Sequence, residues 1–285
     1  MQKVMVALIT PFTKENEVDY EALTKIVKRL MQEGCDGFIV CGTTAETPTL
    51  RESERYMVLQ HVQSIVQGKC EVWFGCGRNC TRDTIRLIRK AQKFSIDGVL
   101  VVTPYYNKPS QRGLYEHYHA IASGIDTNIM LYNVPGRCGV ELQYDTIRKL
   151  VYEHKTIVGL KQASHDLDTV IKLKKEFPQF QIYSGEDGYF DEGFDVGMDG
   201  LISVMGHFNM EKIQRFIKEG RKDNRLKKEL YKEAALAFCD ASPAPVKYLL
   251  HQRGECENLL RLPMCPVNRE KELLLSSYFD NEEEG

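Results

Sequence analysis

Thr156-Ile157-Val158-Gly159-Leu160-Lys161 is an apolar run without polar alternation that ends on an amine. A strand of this kind is covered on both faces, which is the habit of parallel sheets. Seven further runs share its character, at residues 4–9, 37–40, 71–74, 98–102, 128–132, 181–184 and 200–204. Amphipathic segments fill the gaps, at 19–33, 52–66, 81–94, 110–123, 143–152, 166–176, 187–194 and 209–218. In the first of these Leu23, Ile26, Val27 and Leu30 form one stripe, and Asp19 is placed to cap the helix. Eight strand-then-helix units predict an α/β fold of the (β/α)8 TIM-barrel type. A doubly wound sheet is the alternative, but it rarely counts to eight so evenly. Residues 224–285 show no strand and read as helices at 225–239, 244–253 and 268–278. The expected organisation is a catalytic barrel over 1–223 and a C-terminal three-helix appendage over 224–285. The acidic end, 281–285, is expected to fray. No repeat is evident beyond the β/α period.

The bulk properties exclude several classes. The chain has 285 residues and a net charge of −2, so nucleic acid is not the expected partner. The basic stretch 218–232 is interleaved with Glu219, Asp223 and Glu229 and reads as a solvated helix face. No apolar stretch is long enough to span a bilayer, and the N-terminus lacks the apolar core of a signal peptide. Nine cysteines without a C-x-x-C pair suit free thiols in a reduced, cytoplasmic setting.

In such a barrel the reactive groups sit at the C-terminal ends of strands. The second run ends in Cys41-Gly42-Thr43-Thr44-Ala45-Glu46, where adjacent threonines offer donors to a small carboxylate. A capping threonine in an ordinary turn is the plainer reading of that stretch. The fourth ends in Thr103-Pro104-Tyr105-Tyr106-Asn107-Lys108-Pro109. The fifth ends in Tyr132-Asn133-Val134-Pro135-Gly136-Arg137, whose tight path aims a guanidinium at the barrel mouth. The sixth ends in Lys161. Burial favours the neutral amine there, which is a nucleophile suited to Schiff-base chemistry. The seventh ends in Ser184-Gly185-Glu186-Asp187, where glycine leaves room for a ligand.

The stretches at 42–46, 104–110, 132–137 and 159–161, with Asp240-Ala241-Ser242-Pro243-Ala244-Pro245-Val246-Lys247, resemble the motifs of the dihydrodipicolinate synthase family. That family belongs to the class I pyruvate-dependent aldolases that resemble N-acetylneuraminate lyase. The resemblance runs from Val6 to about Arg269, in the family's order. It implies condensation of pyruvate with aspartate-4-semialdehyde to 4-hydroxy-tetrahydrodipicolinate, in lysine and diaminopimelate biosynthesis, without metal or organic cofactor. Lys161 would form the Schiff base, and Tyr132 would move protons through Thr43 to Tyr106. Thr43 and Thr44 would hold the pyruvate carboxylate, Arg137 that of the second substrate, and Gly185 and Ile202 would line the pocket. The resemblance further implies a homodimer that shares Tyr106, paired into a homotetramer. Thr47, Pro48, Glu52, Arg55, Asn79, Asp83 and Tyr105 match positions that bind lysine in some members. Glu52 and Arg55 stand where strongly inhibited members carry histidine, so weak or absent inhibition by lysine is expected. Two departures stand out. Ala45 replaces a glycine, which costs on the order of 1 kcal/mol if its φ is positive. Cys138 replaces a threonine, which is expected to weaken one polar contact.

Three alternatives carry different chemistry. Another pyruvate-dependent aldolase, acting on sialic acid or a 2-keto-3-deoxy sugar acid, would keep the Schiff base but is disfavoured by Thr43 and Arg137. A nicotinamide-dependent dehydrogenase would use Gly75-Cys76-Gly77-Arg78-Asn79-Cys80 with Asp97, but the third glycine is missing. A non-catalytic scaffold would be expected to have lost one of Lys161, Tyr132, Thr43 or Tyr106. Metal catalysis is not expected, because His117 and His119 are two apart on a helix and face different ways. His207 reads as a hydrogen-bonded residue.

Overall fold

A computed structural model describes residues 2–283. Eight parallel strands hydrogen-bond in sequence order and close as a TIM barrel. They are β1 (Lys3–Ala7), β2 (Gly37–Val40), β3 (Glu71–Gly75), β4 (Gly98–Val102), β5 (Ile129–Asn133), β6 (Ile157–Gln162), β7 (Gln181–Ser184) and β8 (Gly200–Ser203). The helices are α1 (Tyr20–Gln32), α2 (Glu52–Val66), α3 (Thr81–Ala91), α4 (Gln111–Gly124), α5 (Pro135–Cys138), α6 (Tyr144–Glu153), α7 (Leu167–Glu176), α8 (Phe190–Asp195) and α9 (Gly206–Lys218). The C-terminal region adds α10 (Asn224–Ala237), α11 (Ala244–Gln252) and α12 (Arg269–Glu283). Strands β2, β5 and β8 are buried at every residue, the reason their sequences do not alternate. Among the described residues no helix is long and apolar enough to cross a membrane. All nine cysteines are free thiols.

The chain forms two compact units, Lys3–Cys70 with Ser203–Gly285, and Glu71–Ile202. In the first, α1 buries Leu23, Ile26, Val27 and Leu30, and the Asp19 carboxylate accepts the Ala22 N–H at 2.9 Å. Its first strand ends sooner than the apolar run does, because the Ile9 N–H is taken by His207 Nε2 at 3.1 Å. Helix α9 starts before the expected 209 and kinks there, at φ −135°. The Asn209 side chain is held by Glu233 of α10 at 2.7 Å and by the Tyr278 hydroxyl of α12 at 2.8 Å. Helix α12 continues to Glu283, and Glu284 and Gly285 of the acidic end lie outside the described residues. In the second unit, residues 187–194 divide into a 3-10 turn, Asp187–Tyr189, and α8.

One repeat escaped the sequence reading. Asp36, Asp97 and Asp199 each precede the glycine that opens β2, β4 and β8. Their carboxylates accept the N–H of Val4, Val72 and Ile182, each at 2.7 Å. Their own N–H groups return bonds to the carbonyls of the same three residues at 2.8, 3.0 and 2.7 Å. Each Asp-Gly pair thus satisfies backbone groups that no ladder reaches at the start of a strand.

Candidate active site

Strands β5 and β6 set the central pair. Their register places Tyr132 directly across from Lys161. Both side chains are buried, and Lys161 Nζ lies 4.7 Å from the centre of the Tyr132 ring. Burial pulls the Lys161 pKa down to about 8, while Asp187 and Glu186 oppose the shift and Arg137 adds to it. The two carboxylates act through space rather than through a hydrogen bond to the amine. Glu186 is itself raised by burial. A group of this kind keeps a far larger neutral fraction near physiological pH than an ordinary lysine, so it can attack a carbonyl.

Neighbouring polar side chains fix the strand ends. Asn133 Nδ2 donates to Gln162 Oε1 at 3.1 Å, Asn133 Oδ1 accepts the Leu142 N–H at 2.9 Å, and Gln162 Nε2 donates to Ser164 Oγ at 2.7 Å. These bonds flank Tyr132 and Lys161 by one residue on each strand. Gly185 is required by space. A β-carbon there would lie 2.8 Å from Lys161 Cε and 2.8 Å from Ala163 Cβ. Glu186, Asp187, Asn133 and Gln162 had been given no role from sequence. The two acids were visible as charges at a strand end; the amides gave no signal.

Arg137 is exposed on the one-turn helix α5, which forms where the sequence predicts only a tight path. Cys138 is buried and its thiol, pushed up by burial, donates to the Thr103 carbonyl at 3.3 Å. A thiol is a weaker donor than the threonine hydroxyl it replaces. Tyr105 is half-buried, whereas Tyr106 is 88% exposed with φ at +74°. That conformation is costly for a tyrosine and marks a constrained position. Ile202 is buried in β8.

The turn after β2 belongs to the other unit. Thr43 is exposed and Thr44 buried in the 3-10 turn Thr43–Ala45. Ala45 sits within that turn, so the strain considered for it does not arise; the positive φ falls on Cys41 (+58°) and Glu46 (+54°). The turn is held from all sides. The Thr10 hydroxyl donates to the Ala45 carbonyl at 2.9 Å, and the Thr47 hydroxyl reaches the Cys41 and Gly42 carbonyls, both at 2.7 Å. Glu46 is buried, and its carboxylate meets Lys247 Nζ at 2.5 Å and the Arg261 N–H at 2.9 Å. Sequence reasoning found no role for Glu46 or Lys247, whose 201-residue separation leaves no local pattern.

Of the positions matched by resemblance to lysine binding, Thr47, Glu52 and Arg55 lie on the β2 turn and α2; Asn79, Asp83 and Tyr105 lie after β3, on α3 and after β4. Arg55 is buried against Cys41 rather than solvated. Glycine at position 77 has a packing cause, since a β-carbon would meet the Val102 N at 2.5 Å. Asp97 binds Val72 at the start of β3, the opposite strand end from a dinucleotide's ribose. His117 is buried against Thr81, while His119 is half-exposed. His207 is buried, with Nδ1 against the Val204 carbonyl at 2.8 Å.

Known proteins resemble this chain in sequence and in fold. The dihydrodipicolinate synthetase family matches residues 1–281. The 4-hydroxy-tetrahydrodipicolinate synthase of Bacillus subtilis (strain 168) is 37% identical over 280 residues, covering 96% of this chain and 97% of that protein. The crystal structure of dihydrodipicolinate synthase from Aquifex aeolicus superposes with a TM-score of 0.94 at 35% identity, covering 99% and 98% of the two chains. The enzyme from Cyanidioschyzon merolae with lysine bound superposes with a TM-score of 0.91 at 35% identity, covering 98% and 97%. This chain belongs to the dihydrodipicolinate synthetase family.

Proposed function

We infer that this chain is a lyase that condenses pyruvate with L-aspartate-4-semialdehyde to 4-hydroxy-tetrahydrodipicolinate, a step of lysine and diaminopimelate biosynthesis. The observation that carries the reading is Lys161, a buried amine with its pKa near 8 opposite a phenol. Its neutral nitrogen attacks C2 of pyruvate, and the carbinolamine loses water to give the imine. Loss of a proton from C3 gives the enamine, whose C3 adds to the aldehyde carbon of the second substrate. The amine of that substrate then attacks C2, closes the ring and releases Lys161. One water leaves per turn, so the equation balances without a redox partner.

Tyr132 carries protons at the amine, relayed through Thr43 to Tyr106. Thr43 and Thr44 hold the pyruvate carboxylate, Arg137 that of the semialdehyde, and Gly185 and Ile202 line the pocket. Side-by-side assays test the substrate. Turnover of pyruvate with the semialdehyde, and no cleavage of sialic acid, is the expected result; the reverse pattern overturns the assignment.

The working unit is a homodimer in which Tyr106 enters the site of a second copy, with two dimers forming a tetramer. Its exposure and left-handed backbone support this placement. Mixing Tyr106→Phe with Lys161→Ala chains under subunit exchange restores part of the activity, because one site of each mixed dimer holds both wild-type residues. Absence of rescue despite exchange would place Tyr106 in its own chain's site.

A further inference from the structure

On the helix layer of the second unit, beside the start of β6, where the Ile157 N–H donates to the His154 carbonyl at 3.0 Å, three side chains converge. His119 on α4, and Glu153 and His154 at the end of α6, present ligand atoms that all lie within 4.8 Å of one another. His154 Nε2 is 2.9 Å from His119 Nδ1, and that nitrogen is 3.7 Å from Glu153 Oε2. With bonds of about 2.05 Å to a central ion, these separations subtend roughly 90° and 130°, on either side of the tetrahedral angle. Both measured pairs can therefore share one ion, and side-chain rotation brings the third pair, already within 4.8 Å, to the same centre.

The surroundings orient the donors. Tyr115, one turn before His119, donates its hydroxyl to Glu153 Oε2 at 2.6 Å and stacks its ring on His119. Such an outer contact fixes a ligand before the metal arrives. At least one of the facing ring nitrogens is unprotonated, because they share a single hydrogen bond at 2.9 Å. Metal binding asks only that this proton move to the other nitrogen of its own ring. The ammonium of Lys149, 3.8 Å above the Tyr115 ring, opposes a cation and limits its affinity. His119 and His154 are half-exposed and Glu153 is exposed, so the fourth position opens to water.

We propose that His119, Glu153 and His154 form a surface site for a divalent transition ion of the zinc type, separate from the reaction at Lys161. Two imidazoles and one carboxylate with an open position suit that class rather than calcium or magnesium. Without an ion the same trio is a surface hydrogen-bond network, and the test separates the two.

Cobalt(II) titrated into the metal-free full-length chain is the probe. The expected result is one equivalent bound, with visible ligand-field bands of four-coordinate strength that zinc(II) displaces. His119→Ala and His154→Ala each weaken binding about tenfold or more, as do the glutamine variants, which keep more of the side-chain volume. Trapping of pyruvate on Lys161 in each variant checks that it is folded. Absence of visible bands, or bands that survive the double substitution, overturns the proposal. A near-ultraviolet thiolate band would also overturn it, by placing the ion on one of the nine free cysteines.

Discussion

Among the described residues two lysines are buried, and they do opposite things. Lys161 stands at the end of β6 with carboxylates that reach it only through their field, and burial leaves its pKa near 8. Lys247 on α11 is fully buried, touches Glu46 at 2.5 Å, donates to the Leu259 carbonyl at 2.8 Å and lies 4.1 Å above the Phe12 ring. Burial pulls its pKa down as well, but the Glu46 carboxylate opposes that pull at contact distance. The difference shows that burial alone does not make a nucleophile. An amine engaged by a carboxylate and a carbonyl is a bolt; an amine left to the field of its neighbours can react.

The sharpest way to break this comparison is to remove each amine in turn. Lys161→Ala should abolish the borohydride-trapped pyruvate adduct and lower kcat/KM on the order of 10^4-fold or more, with little loss of stability. Lys247→Met should leave the adduct on Lys161 but destabilise the chain by about 3–5 kcal/mol, because it strands the Glu46 charge. The double change Glu46→Gln with Lys247→Met should cost less than the sum of the single changes. Mass mapping of the adduct and denaturant titration decide both halves; an adduct on Lys247 would collapse the distinction.

A smaller effect tests the room around the reactive amine. Gly185→Ala places a methyl 2.8 Å from Lys161 Cε. Overpacking of that kind costs roughly 1–3 kcal/mol, which should appear as slower adduct formation, about tenfold to a hundredfold. An unchanged trapping rate would show that the lysine can swing away at no cost.

The smallest effect is in the pH profile. Lys161 is protonated below its pKa near 8, so trapping should speed up about tenfold per pH unit below that value and level off above it. Glu186 favours the charged amine, so Glu186→Gln should move the midpoint to lower pH. A midpoint that moves upward would assign the field to another group.

The strand count, the helix stripes and the reactive strand ends were legible in the sequence because each is local. Parallel strands covered on both faces read as unbroken apolar runs, and a nucleophile at a strand end is one residue from its own pattern. The tight turn at Thr43–Ala45 was legible too, but not which of its residues has a positive φ; the chain places it on Cys41 and Glu46 rather than Ala45. A residue's φ is settled by the contacts that hold it, and Thr10, Lys247 and Arg261 come from distant parts of the chain.

The Asp-Gly repeat was printed in the sequence at Asp36, Asp97 and Asp199, yet its meaning needed the carboxylates to be seen meeting Val4, Val72 and Ile182. Likewise His119 and His154 are 35 residues apart and meet only because α4 and α6 pack side by side. Sequence alone determined the fold class and the candidate nucleophile, since hydrophobic period and residue chemistry are carried by neighbours. Tertiary structure alone decided which buried lysine is paired and which is left in the field of its neighbours, because desolvation and Coulomb attraction depend on distance through space, not along the chain.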